Sequence, residues 1–465
     1  MKPSIFAVAF LALAAAAYAQ QPQLRFDDVV RNLRNPDPKA REAAIRLLRE
    51  AKYPEAIAPM AALVLDPVDD IQLQAIDAEL SFFLPDQDVK SKKMIGHVIE
   101  QRKSAIALAA FELGPLAVWP RPAPPELVTA LLQAIDDENA KVRLEAIYAV
   151  GVVAAPPLTT LDNDQTQRLI KALDHFDPAV RTGAALVIAR LKVTDAGDAL
   201  IKAVNDSQAD VRYAAMRALG AIHDENAVKA LTEQFAFYRK GEGAWAALDA
   251  LARIGAGATL PLFKERLEDK DPYIRRAAAE GIGRAGDPSS LDALEKMAGT
   301  DESAMVRMAA AFALQKLGRN YASRITDMLT SPKVVDQGVE YLVEIGPSVT
   351  PMLVARLQEQ DADLREAVAD VLGVVGGPQA VPALQAAAAK DPKGEPGRAA
   401  KRAVARIESS PSLTRSGVQD GDPVSILLCA SDARRCERSD RQGPRSRQSR
   451  RHRVRCDRRG RGLHR

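Results

Sequence analysis

The phrase Val-Arg-x-x-Ala-x-x-Ala-Leu-Gly recurs along the chain roughly every 31 residues, and this period decides what the chain can fold into. The clearest copy runs from Val211 to Gly220. Val142-Arg143, Val180-Arg181, Ile274-Arg275, Val306-Arg307 and Leu364-Arg365 open further copies. In the remaining segments Arg41, Gln72, Ala244, Val335 and Gly397 stand at the arginine position. From Arg143 onward the frame passes in even steps through Arg181, Arg212, Ala244, Arg275, Arg307, Val335, Arg365 and Gly397, the first step being the longest. A self-similar period in this range marks a solenoid, because one short unit cannot bury its own apolar face and must stack on its neighbours.

Each unit reads as two antiparallel helices. Val211, Ala215, Ala218 and Leu219 fall on one helical face. Asp37-Pro38, Asp177-Pro178 and Asp271-Pro272 each place an N-cap acceptor and a first-turn proline before the motif. The same aspartates stand four residues before Arg41, Arg181 and Arg275, which predicts i,i+4 pairs on the helix. Gly286-Asp287 and Gly346-Pro347 supply stops. A second apolar stretch follows, as in Val228, Leu231, Phe235 and Tyr238. The expected fold is all-α, a superhelical α-solenoid of about 12 stacked helix pairs, with no strand pattern between residues 24 and 408.

The segment before Gln20 stands apart. Lys2, the apolar run Ile5 to Ala17 and Ala17-Tyr18-Ala19 read as a signal peptide cleaved after Ala19. The competing reading, a membrane anchor, needs a longer apolar run. The expectation is an exported protein, periplasmic or secreted, without a span in its mature form. Residues 20–408 contain no cysteine and carry 48 Lys and Arg against 55 Asp and Glu, a net of −7, so the array has no nucleic-acid footprint.

The period breaks twice. N-terminal repeats occupy residues 20–114, and a degenerate unit lies around Gln101 to Leu113. A proline-rich loop, 115–125, carries Trp119 and precedes the main array, 126–408. The second break holds Phe235, Phe237, Tyr238 and Trp245, with Ala244 where arginine belongs. Trp119, Phe237 and Trp245 are the candidate protein-binding residues; local packing is the other reading of each.

The motif resembles HEAT repeats, in particular the short bacterial class of phycobilisome-lyase-type (PBS lyase HEAT-like) repeats, over residues 24–408. That resemblance implies a ladder between repeats through Arg41, Arg143, Arg181, Arg212, Arg275, Arg307 and Arg365, broken at Gln72, Ala244, Val335 and Gly397. It also implies second helices lining a concave surface. Two enzyme groups share the repeat. The di-iron hydroxylases need His-Glu pairs, and His97, His175 and His223 are followed here by Val, Phe and Asp. His223 aligns with Gly286 and reads as a turn residue. Bilin lyases need a tetrapyrrole and a phycobiliprotein, which fits export poorly. Gly281-Ile282-Gly283-Arg284-Ala285-Gly286 has the dinucleotide-binding spacing but ends a helix with no strand before it.

From Ser409 to Arg465 the period stops, with 15 Arg, no Lys, six acids and all three cysteines, Cys429, Cys436 and Cys456. This tail reads as disordered, and either as a basic arm or as coding sequence read out of frame. No terminal cap is visible in the sequence, so the last helix, around Ala399 to Ile407, is expected to leave a face open. The reading that follows is an exported, non-catalytic scaffold that binds another protein on a concave surface, with no catalytic residue, cofactor or metal. The alternative is a HEAT-repeat enzyme, a metal-dependent oxidoreductase or a bilin-lyase-like protein.

Overall fold

The computed structural model describes residues 25–84, 106–155 and 158–410. The signal-peptide reading, residues 101–105 of the degenerate unit and the arginine-rich tail beyond Ser410 lie outside these residues. The chain divides into a compact unit, Met1–Ser416, and a second, Gly417–Arg465, none of whose residues is described. Among the described residues there is no strand, and the helices stack in pairs as the period requires. No described helix is long and apolar enough to cross a membrane.

The motif helices run through the unit in order. They are α1 (Pro38–Ala51), α2 (Asp69–Phe83), the short α3 (Ile106–Glu112), α4 (Ala140–Val153), α5 (Pro178–Leu191) and α6 (Ala209–Ala221). Then come α7 (Glu242–Ile254), α8 (Pro272–Ala285), α9 (Ala304–Lys316), α10 (Val335–Ile345), α11 (Ala362–Val375) and α12 (Glu395–Ser409). Most second helices begin with one 3-10 turn, as at Glu225–Ala227 before Val228–Tyr238. The start signals act as the residue types dictate. Asp37, Asp177 and Asp271 each accept the amide two residues on, with proline following in the first turn. Gly286 ends α8 at φ 74°, and His223 takes the same left-handed role after α6 at φ 54°.

Alanine and glycine in the motif set the spacing. A Cβ on Gly220 would lie 2.8 Å from the Cα of Ala250, one on Gly283 2.6 Å from that of Ala313, and one on Gly373 2.9 Å from that of Ala403. The backbones of successive motif helices therefore touch. The second helices Val228–Tyr238, Leu260–Arg266 and Leu291–Thr300 pack mainly on motif helices instead. Close spacing on one side and wide spacing on the other bends the stack toward the motif helices.

That bend corrects the expected assignment of the inner face. Side chains from motif helices reach across intervening repeats: Arg253 of α7 meets Glu340 of α10, and Tyr341 of α10 meets Glu280 of α8. Such contacts form only on the inner side of a curved stack, so the motif helices line it and the second helices lie outside. The inversion has a simple cause, since small side chains permit the tighter radius.

The end of the array is also different from the expectation. Arg402 and Arg406 of α12 donate to the carbonyls of Pro115, Leu116 and Val118. The proline-rich stretch thus meets the last motif helix at Arg402 and Arg406, a contact that the sequence does not announce.

Candidate functional site

Each motif arginine first closes its own loop. Nη1 of Arg41, Arg143, Arg181, Arg212, Arg275, Arg307 and Arg365 donates to the two carbonyls six and five residues before it. These carbonyls are the ones a loop entering a helix leaves unpaired. The rest of the guanidinium turns to the next repeat. Arg41 meets Asp66, Arg143 meets Asp177, Arg181 meets Asp206 and Arg275 meets Asp301. Each of these aspartates also accepts a backbone amide at the start of its own helix. The i,i+4 pairs predicted for Arg41, Arg181 and Arg275 do not form, because the arginines are drawn to the following loop. Burial pushes the carboxyls of Asp177, Asp206 and Asp301 upward, but hydrogen bonds from arginine and backbone outweigh it and hold them below the usual range.

The expected breaks are filled in two places. Gln72 Nε2 donates to Asp137 at 2.9 Å, so an amide replaces the guanidinium. At Ala244 the neighbouring Trp245 supplies the donor, its indole Nε1 lying 2.7 Å from Asp271 Oδ2. Arg212 meets the hydroxyl of Tyr238 instead of a carboxylate. Among the described residues, Arg307 and Arg365 make no ion pair to a following repeat.

The three aromatic candidates separate. Trp245 is half-buried, stacked on Tyr273 with ring centres 4.3 Å apart. Trp119 is half-buried, and its amide donates to Phe83. Phe237 is 76% exposed, with only Tyr238 against its ring. The structure does not bring Phe237 and Trp119 to one site. Phe176, also 76% exposed, escapes the sequence reading; its one signal there is its place just before Asp177-Pro178, at a loop tip. Because the arginine contacts hold successive loops side by side, Phe176, Phe237 and the partly exposed Tyr273 lie along one edge of the stack.

The inner face between α7 and α10 is filled by charge. Asp249 receives Arg253 and Arg276, and Glu280 receives Arg284 and lies 3.6 Å from Arg276. Arg284 and Lys316 meet Glu344, and Gln337 donates to the hydroxyl of Tyr341. Burial would push Asp249 up, but Arg276 and Arg253 hold it well below the carboxylate range. Burial and the adjacent Glu280 raise the Tyr341 phenol. Two further ionisable groups lie apart from these ion pairs, and Arg190 donates to the carbonyl of Phe111. Arg190 lies with its guanidinium 3.4 Å above the Phe111 ring, and burial lowers it to about 10. Glu79 is 1% exposed, neither carboxyl oxygen has a hydrogen-bond partner, and burial raises it well above its ordinary value. Among the described residues no three His, Cys, Asp or Glu side chains gather as a metal site would need.

Comparison with known proteins adds the family. A comparison with curated protein sequences found no match. Several solved structures resemble the chain. An engineered protein shares 18% identity over 82% of this chain and 98% of its own, with a TM-score of 0.37. The complex of CpcE and CpcF of phycocyanin lyase from Nostoc shares 19% identity over 67% of this chain and 96% of its own, with a TM-score of 0.33. Human deoxyhypusine hydroxylase shares 19% identity over 62% and 97%, with a TM-score of 0.26. The profile of HEAT repeats matches residues 166–236, 240–315 and 324–405. With the same repeat in its sequence, its loops and its stacking, the chain belongs to the HEAT-repeat family.

Proposed function

We propose that the protein is an exported, non-catalytic scaffold that binds another protein through its repeat array. The observation that carries this reading is the pair of phenylalanines, Phe176 and Phe237, each 76% exposed on one edge of the stacked loops. Large apolar rings left in water along one edge are the kind of anchor around which protein interfaces form. The inner face from α7 to α10 is occupied by its own ion pairs, so the edge replaces the concave surface as the binding region there. Export rests on the sequence that precedes Gln20.

The test is capture of a partner from an envelope fraction with the chain from Gln20 as bait, followed by binding with Phe176→Ala/Phe237→Ala. Loss of more than about 1 kcal/mol of binding supports the edge as the contact. Unchanged binding by the folded double variant removes it. A stoichiometric metal or chromophore in the purified protein favours the enzyme alternative.

A further inference from the structure

We propose that residues 115–118 and the last motif helix form a reversible latch, which opens while the repeats on either side stay folded. The contact joins the loop that follows α3 to the last motif helix, through Arg402 and Arg406 of α12.

Its chemistry is that of a weak joint. Three of the four hydrogen bonds are long: Arg402 Nε to Leu116 at 3.3 Å, and Arg406 Nη2 to Pro115 and Val118 at 3.3 Å, with Leu116 at 3.1 Å. One Nη2 carries two hydrogens and faces three carbonyls, so one acceptor is always left short. Arg406 Nη1 is buried without a partner. Asp370 of α11 forms an ion pair with Arg402 at 3.6 Å, too far for a hydrogen bond, and its Oδ1 is buried without a hydrogen-bond partner. Burial raises Asp370 to about 6 although Arg402 and Arg406 oppose it. Opening lets water replace four hydrogen bonds, three of which share one nitrogen, so the polar chemistry opposes release only weakly.

The rest of the neighbourhood is built the opposite way. α12 packs along α11 with Gly373 against the Cα of Ala403, and that face carries buried Ala399, Ala400 and Ala403. On the other side Trp119 stays tied to Phe83 by its amide. The strong contacts are therefore within each side, and the weak one lies between them. Local opening of this kind follows the least-protected contact, at a free energy below that of global unfolding. This inference does not depend on what the protein binds.

The experiment uses the full chain carrying Trp245→Phe, which leaves Trp119 as its one tryptophan beside the latch. Arg402→Gln/Arg406→Gln is expected to raise acrylamide quenching of Trp119 at least about twofold and to increase the radius of gyration, with helicity unchanged. Lys401→Gln, an exposed charge on the same helix, is the control and leaves both unchanged. A folded double variant with unaltered quenching and dimensions overturns the proposal. If the double variant does not fold, Arg406→Gln alone is read in the same way: higher quenching of Trp119 with larger dimensions supports the latch, and no change in either overturns it.

Discussion

Trp245 donates its indole N–H to Asp271 across a repeat boundary, in the place where other repeats use an arginine. The ring that reads in sequence as a binding anchor is thus part of the joint between α7 and α8. Trp245→Phe keeps the stacking on Tyr273 and removes the donor. It should cost about 1 kcal/mol in urea denaturation. No loss would show that the indole contact is not a stabilising one.

Asp271 serves two neighbours, accepting the Tyr273 amide as N-cap and the Trp245 indole. Asp271→Ala should therefore cost about 1–2 kcal/mol, at the upper end for a cap. Ala278, fully buried in α8, has no room for a long charged side chain. Ala278→Arg should be the more damaging of the two by thermal melting. The reverse order would mean that the helix register is wrong.

Glu280 is 2% exposed and faces Arg276, Arg284 and Tyr341. Removing it takes one carboxylate from each of two arginines, which keep Asp249 and Glu344, and the acceptor from Tyr341, so Glu280→Ala should cost about 1.5–3 kcal/mol. Tyr341→Phe removes one donor and should cost about 1–2 kcal/mol. The double substitution should cost less than the two single ones together, since they share a hydrogen bond. Additive losses in a double-mutant cycle would show that the two residues do not interact.

Asp370 gives a pH signature. Its folded value of about 6 lies above that of a free aspartate, so the folded state holds the proton more tightly. The stability it contributes is absent above about pH 7, grows as pH falls through the folded value, and is complete below about pH 4, where a free aspartate also takes up its proton. Between about pH 7 and pH 5 the gain should be about 1 kcal/mol. Asp370→Asn should abolish that part of the pH dependence, measured as the difference between the two stability profiles. Parallel profiles would contradict it.

Glu79 occupies the frame position that Leu219 fills in the clearest repeat, and no hydrogen bond offsets its burial. Glu79→Leu should raise stability by about 1–3 kcal/mol. A fall in the melting temperature would show that the carboxyl is matched by its surroundings.

How far the sequence can be read follows from the range of each interaction. The helix pairs, the Asp-Pro starts and the turn role of His223 are local or periodic, and so legible. The partners of the arginines are harder, because an aspartate four residues away in sequence competes with one in the next loop and loses. Gln72 and Trp245 look like breaks because the frame tracks residue type and a hydrogen bond needs only a donor. The inner charges do leave a trace in the sequence. Arg253, Arg284, Lys316 and Glu344 each stand nine residues after the frame position of their helix. Contacts such as Arg406 with residues 115–118 have no sequence signal at all, since curvature summed over many repeats brings them together.

That last contact changes what length means for this array. An open stack can gain or lose one helix pair and keep the rest of its contacts, because each unit answers only to its neighbours. Here α12 must also arrive at the carbonyls of Pro115, Leu116 and Val118. One unit more would carry it past them and one fewer would leave it short. Between α3 and α12 the number of repeats therefore decides whether this contact can form at all, a dependence on total length that an open stack lacks.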